Sequence, residues 1–278
     1  MGMKSMADGL GKLAKEILYA GTNLNRHFNS AVIVAAGNGT RMGSVRKTTK
    51  QLADLDGIPV IVRTLLQFDR CPFLNEIVVV AREEEIGCYD GFVKRYGIQK
   101  LKKVVAGGET RQKSVMEGLK NVDDKSEFIA IHDGARCLVT PEMIERVFKE
   151  AYLHGAATAA ELPRDTIKRA ASDGYIQETI DRTMLWHAQT PQIFKTDLYR
   201  AAAYMAAEEG VAVTDDCMLV ERIGVRIKLV DCGHENLKLT TPDDFYLASA
   251  ILRLRADRLA QAEEEAAMRA EADPEAAK

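Results

Sequence analysis

Two cations, Arg41 and Lys50, follow a turn of small residues, Ala36-Gly37-Asn38-Gly39, which itself follows an apolar run, Ala31–Ala35. Arg46 and Lys47 lie between them. Residues this small let backbone amides come close to a ligand, and the amides then act as directional donors to an anion. Fixed cations beside such donors neutralise charge that grows in a transition state, so the pattern suits a polyphosphate. A second cluster lies at HDGAR, His132–Arg136, directly after the apolar run FIAI. A carboxylate placed there, Asp133, is where a Mg²⁺ ion bridging protein and triphosphate would find a ligand, and the alternative is an Asp that caps the following loop.

Two familiar phosphate-binding strings do not account for the turn. A Walker loop needs Gly, four residues and then Gly-Lys-Ser/Thr, which the chain lacks. The dinucleotide fingerprint G-x-G-x-x-G matches Gly37 and Gly39 but has Met42 in its third place. The acidic ribose ligand that should close the second strand is replaced by Arg82, after EIVVVA at Glu76–Ala81.

The residues of interest sit between alternating elements. Ala31–Ala35, Glu76–Ala81, Lys102–Val105, Phe128–His132 and Val225–Val230 read as strands, the first an all-apolar run that suits burial on both faces. Pro59–Phe68, Arg111–Leu119, Pro141–Leu153, Thr196–Glu208, Asp215–Arg222 and Pro242–Arg255 read as helices. This order predicts an α/β chain with a Rossmann-like, mostly parallel twisted sheet, helices on both faces and a ligand crevice at the strands' C-terminal ends. One stretch breaks the pattern: Thr166–Ala171 and Tyr175–Ile180 flank Ser172-Asp173-Gly174, a β-hairpin signal. Its arms carry polar residues at alternate positions, so it has little apolar surface to dock on its own sheet and predicts a protruding arm held by a second subunit.

Length and composition bound the rest. The 278 residues are 46% hydrophobic, enough for one well-buried core, and the net charge of −3 argues against general nucleic-acid affinity or a membrane surface. Five scattered cysteines without a C-x-x-C pair are the usage of a reducing cytoplasm, not of a disulfide framework or zinc site. Residues 1–30 form an extension in which Met6, Leu10, Leu13 and Ile17 recur at helical spacing, with no run able to span a bilayer. The main domain then runs over 31–255 with its arm at 164–182, and the Ala- and Glu-rich tail, 256–278, reads as a solvated extension of the last helix.

Several blocks, in order, resemble the 2-C-methyl-D-erythritol 4-phosphate cytidylyltransferase family. They are AAGNGTRMG with a following Lys-Gln pair, GGETRQKSV at Gly107–Val115, HDGAR, RDTIKR at Arg164–Arg169, DRTMLWHAQTPQIF at Asp181–Phe194, TDD at Thr214–Asp216 and ENLKLTTPDD at Glu235–Asp244. The resemblance implies a transfer of CMP from CTP to a polyol phosphate, with loss of pyrophosphate, aided by Mg²⁺ on Asp133. It makes Arg41 and Lys50 the catalytic cations at the α-phosphate. It places CTP on Ala35, Ala36, Gly37 and Gly39 and on Gly108, Glu109 and Ser114, where helix capping by Thr110 or Glu109 is the alternative. Arg136, Thr166, Arg182, Thr190 and Lys238 would hold the acceptor, with hydroxyls and cations suited to a phosphomonoester. His132, Trp186 and His187 are read as structural. In the family the arm crosses a two-fold homodimer, so Arg182 and Thr190 are expected to complete the neighbour's site.

The chain departs from the family pattern in three places. Thr49 precedes Lys50 where the family has Pro, Cys137 follows Arg136 where Pro is common, and the segment from Arg41 to Lys50 is about two residues longer than usual. The longer loop after TRMG would also suit ribitol-5-phosphate cytidylyltransferase, whereas LWHAQTPQ fits the methylerythritol branch better. A catalytically idle nucleotide-binding protein is the reading from a different class, and the retained Arg41, Lys50, Asp133 and Arg136 count against it.

Overall fold

The computed structural model describes residues 27–37 and 49–272. In chain order these form β1 (Asn29–Val34), a two-residue ladder of β2 (Asp54–Leu55) and β3 (Ile58–Pro59), α1 (Val60–Arg70), β4 (Glu76–Ala81), α2 (Cys88–Tyr96) and β5 (Leu101–Ala106). There follow α3 (Arg111–Leu119), β6 (Phe128–Asp133), α4 (Pro141–His154), β7 (Ala156–Glu161), β8 (Ile167–Ala170) and β9 (Ile176–Ile180). Last come β10 (His187–Lys195), α5 (Thr196–Glu208), α6 (Asp216–Arg222), β11 (Lys228–Asp231) and α7 (Asp243–Ala272). The predicted N-terminal helix lies outside the described residues, and the predicted tail continues α7 as far as Ala272, the last described residue.

Seven strands form one sheet in the order β11-β7-β10-β6-β1-β4-β5. All neighbours are parallel except β10, which runs antiparallel to both β6 and β7. Strands alternate side chains between faces, so a strand buried twice must be apolar at every position. In β1, Ala31 and Ile33 join the core under α1 and α4, while Val32 joins the core under α3 and α5. In β4, Ile77 and Val79 face the first core, Val78 and Val80 the second.

Two strands of this sheet, β7 and β10, and helix α2 were not legible in the sequence. β7 is AATAAE, and alanine carries no strand preference of its own; its four alanines are fully buried because helices and neighbouring strands close over them. β10 carries Gln189, Thr190, Pro191 and Gln192, which read as a loop until their polar atoms are seen to be used internally.

The hairpin is as predicted: β8 pairs only with β9, the turn is at Gly174 with φ +87°, and its residues are almost all exposed. Tyr175, Ile176 and Met184 in and beside the hairpin are 75%, 67% and 80% exposed. Among the described residues no helix is long and apolar enough to cross a membrane, and all five cysteines are free thiols.

Candidate active site

β1 and β6 lie side by side, Val34 opposite Asp133, so their C-terminal ends open together. Asp133 is the last residue of β6 and is 8% exposed. Its backbone N–H donates to Thr190 Oγ1 at 3.1 Å. Thr190 in turn meets His132 Nδ1 at 3.0 Å, while His132 Nε2 lies 3.2 Å from the Arg136 carbonyl. A carbonyl only accepts, so Nε2 carries the proton and Nδ1 accepts from the Thr190 hydroxyl. Burial against Phe68 pushes the His132 pKa down to about 3, more than Asp133 raises it, so the ring is neutral. His132 is therefore a structural residue, as expected, and fixes the backbone beneath Asp133.

The Asp133 carboxylate is surrounded by cations. Lys238 Nζ is 2.7 Å from Oδ2, Arg111 Nε 3.3 Å from Oδ1 and Arg136 Nε 3.8 Å from Oδ2. Burial alone would raise its pKa, but Lys238 and Arg111 outweigh burial and hold it well below the usual carboxylate range. Arg136 is oriented by donating to the Asn236 carbonyl at 2.8 Å. Lys238 is held by its neighbours: buried Asn236 donates to Gln189 and to the Thr190 carbonyl, and Leu239 donates its N–H to the Ala135 carbonyl at 2.9 Å.

Above this floor lies a cavity of about 310 Å³, walled by Ala36 and Gly37, Lys50 and Gln51, Gly108–Arg111, Ser114, Asp133, Lys238 and Thr240. The turn after β1 and the turn after β5 meet so closely that a Cβ on Gly107 would stand 2.3 Å from the Ala36 Cβ, so only glycine fits there. Thr110 caps α3 by accepting from the Lys113 N–H at 3.1 Å. Ser114 is 3% exposed and its hydroxyl is bonded to Gly108 N–H and the Thr110 carbonyl, so it shapes this turn. Glu109 stands outward, paired with Lys113 at 2.6 Å. Lys50 enters the cavity from the segment that Gln51 and Ala53 anchor to the first turn of α1, and its Nζ donates to the Leu239 carbonyl at 3.2 Å. Thr49, at the family's proline position, is tied by its hydroxyl to buried Glu85 at 2.6 Å.

Of the residues singled out in the sequence, Ala36, Gly37, Lys50, Gly108, Glu109, Ser114, Asp133 and Lys238 meet at this cavity, with Arg136 and Thr190 directly behind it. Ala35 is buried in the core and donates its N–H to Val80. Gly39 and Arg41 lie outside the described residues. Thr166 and Arg182 do not line the cavity; both are exposed at the root of the arm, where the Arg182 guanidinium donates to the Arg164 carbonyl. Thr190 corrects one expectation. It was placed with Arg182 in a neighbour's site, but β10 has by then returned to the sheet beside β6, and its hydroxyl serves Asp133 of its own chain. The register shift between Ala188 and Gln192 re-aims the side chains of this stretch.

Two site residues escaped sequence reasoning as individuals, though both lie in matched blocks. Arg111 lines the cavity and binds Asp133, and its Nη1 is 2.7 Å from Asp216 Oδ2. Asp216 comes from the start of α6 and accepts from the Tyr199 hydroxyl at 2.6 Å. A buried aspartate on a helix start reads as a cap; only the fold brings it to Arg111.

The cavity thus carries Lys50, Arg111 and Lys238 beside one buried carboxylate and two turns of close-packed backbone, an arrangement that suits a polyanion. The sequence profile of the 2-C-methyl-D-erythritol 4-phosphate cytidylyltransferase family matches residues 30–254. The enzyme of that name from Clostridium acetobutylicum is 44% identical over 226 residues, 81% of this chain and 97% of its own length. That from Caldanaerobacter subterraneus is 44% identical over 225 residues, covering 81% and 98%. Among solved structures, 4-diphosphocytidyl-2C-methyl-D-erythritol synthase from Anaerococcus prevotii superposes with a TM-score of 0.72 at 30% identity, covering 82% of this chain and 99% of its own. The 2-C-methyl-D-erythritol 4-phosphate cytidylyltransferase from Thermus thermophilus does so with a TM-score of 0.66 at 27% identity, covering 81% and 99%. By profile, identity and fold, the chain belongs to the 2-C-methyl-D-erythritol 4-phosphate cytidylyltransferase family.

Proposed function

We propose that this chain transfers CMP from CTP to 2-C-methyl-D-erythritol 4-phosphate, an intermediate step of isoprenoid precursor synthesis. The observation that carries the reading is the buried Asp133 carboxylate set among Arg111, Arg136 and Lys238, facing Lys50 across a cavity roofed by two small-residue turns. The cytosine lies against Ala36, Gly37, Gly108 and Glu109, whose backbone groups read its edge, with Ser114 holding their turn. The triphosphate runs toward Lys50, with Arg41 as the second catalytic cation. An oxygen of the acceptor phosphate attacks the α-phosphorus; the bond to the β-phosphate breaks and its electron pair leaves on pyrophosphate. An ionised phosphate needs no general base, so the protein's work is alignment and charge stabilisation.

Asp133 fits Mg²⁺ as a single ligand: among the described residues no three metal-binding side chains converge, and Mg²⁺ is commonly held by one or two carboxylates with substrate phosphates supplying the rest. When bound it would neutralise triphosphate charge. Arg136 and Lys238 bring positive charge to the acceptor phosphate, and Thr190 carries them from beneath. Thr166 and Arg182 come to this site from the arm of a second copy, so the working unit is a homodimer with exchanged arms in the cytoplasm; the exposed Tyr175, Ile176 and Met184 on the arm support this. Pyrophosphate release, assayed with CTP and each acceptor in turn, tests the reading. Turnover with methylerythritol phosphate is expected. Turnover only with ribitol 5-phosphate would move the chain to that activity, and none with any acceptor would make it an idle nucleotide binder.

A further inference from the structure

Arg111 donates its Nε to Asp133 Oδ1 at 3.3 Å and forms an ion pair with buried Asp216, Nη1 to Oδ2 at 2.7 Å, so one guanidinium lies between a carboxylate at the end of β6 and one at the start of α6. Asp216 is 1% exposed and faces Arg111 from the side away from the cavity. It is itself over-determined. The Tyr199 hydroxyl donates to Oδ1 at 2.6 Å, and the buried Gln192 side-chain oxygen accepts from the backbone N–H groups of Asp216 and Cys217 at 3.0 and 3.1 Å. Gln192 is fixed in turn by donating to Asp215 at 2.9 Å. Tyr199 is fully buried and stacks on Phe194 at 5.1 Å between centroids, so the start of this relay is part of the core.

A guanidinium on a flexible stem presents its fork only where something holds it, and a bidentate partner does this at small entropic cost. With Asp216 gone, Arg111 would have one carboxylate rather than two to set its plane, and Asp133 would lose the contact that orients Oδ1. From this geometry we infer that Asp216 is a positioning residue. Through Arg111 it sets the rotamer of Asp133, holding Oδ1 toward Arg111 and Oδ2 toward Lys238. Tyr199 supports Asp216 from behind. Asp216 touches no substrate in this arrangement; it acts only through Arg111 and Asp133.

The inference rests on the proposed cytidylyl transfer, so wild-type turnover of CTP with methylerythritol phosphate is established first; its failure would defeat that reading before the variants are measured. Asp216→Asn keeps the shape and the bond from Tyr199 but turns an amide toward Arg111. It is expected to lower kcat about 10- to 100-fold with the KM for CTP changed less than about threefold. Tyr199→Phe, a milder change, should lower kcat about two- to fivefold. Both are then repeated in an Asp133→Asn background, with thermal melts to confirm that each protein is folded. Because the effect passes through Asp133, each second substitution should cost less than about twofold there. If the full loss persists in the Asp133→Asn background, or if KM for CTP rises as much as kcat falls, Asp216 supports the fold generally and the inference is wrong. Should Asp216→Asn fail to fold, the same comparison with Tyr199→Phe alone decides it.

Discussion

Asp133 receives more contacts of functional weight than any other side chain at the cavity. Its pKa is depressed despite burial because Lys238 and Arg111 face it, so it stays ionised, and in the proposed reaction a cation carried by the nucleotide would compete with these side chains for its oxygens. Asp133→Asn keeps the side-chain shape and loses the charge. Activity should fall by on the order of tenfold or more, and the Mg²⁺ concentration giving half-maximal rate should rise. An unchanged Mg²⁺ dependence would leave Asp133 as an anchor for Lys238 and Arg111 only. Asp133, Arg136 and Lys238 were legible because each lies in a compact block of matching residues. Arg111 and Asp216 were not legible as a pair, since their meeting depends on how α3 and α6 pack and no local spacing records it.

At the scale of elements, the floor of the site depends on how α7 begins. Asp244 Oδ2 accepts from the N–H groups of Thr240 and Thr241 at 2.6 and 2.7 Å and from the Thr240 hydroxyl at 2.9 Å, locking the segment that carries Lys238 onto the helix. Burial raises the Asp244 pKa, but these donors lower it more, so the folded value lies below 3.8. Asp244→Ala should cost about 1–2 kcal/mol, as losing a cap does, and be read as a lower Tm. A carboxylate with a depressed pKa stabilises fully above its unfolded value and loses that contribution as pH falls through the folded one. The Tm gap between wild type and variant should therefore be constant from pH 5 upward and narrow below 3.8. A gap that widens on acidification would contradict this.

The same scale explains what the sequence hid. β1, β4 and β6 announce themselves as unbroken apolar runs because both faces are buried. β7 does not, because alanine suits a helix as well, and β10 does not, because Thr190, Gln189 and Gln192 spend their polarity inside the protein on His132, Asn236 and Asp216. The antiparallel strand between β7 and β6 therefore had to be seen. It is also the strand that returns the chain from the arm to the active site.

At the scale of the whole molecule, the arm carries Thr166 and Arg182, both exposed and neither lining the cavity of their own chain. In the proposed exchanged homodimer each site uses Lys50 of one chain and Arg182 of the other. Lys50→Ala should lower kcat on the order of a hundredfold, and Arg182→Ala alone should likewise be nearly inactive. When the two variants exchange subunits, half the dimers are mixed, and each has one site with both residues intact, so recovered activity should approach about a quarter of wild type. No recovery, once tagged chains show that exchange has occurred, would mean that each arm serves its own chain.

All these expectations presuppose one bond being made, between the acceptor phosphate and the α-phosphorus of CTP. Methylerythritol 4-phosphate labelled with ¹⁸O in its phosphate, incubated with this protein, CTP and Mg²⁺ and followed by ³¹P NMR, reads that bond directly. The account predicts ¹⁸O in the bridge of the new diphosphate and in the phosphate derived from the acceptor, with unlabelled pyrophosphate. Label in pyrophosphate, or a diphosphate product whose bridging oxygen is unlabelled, would contradict it.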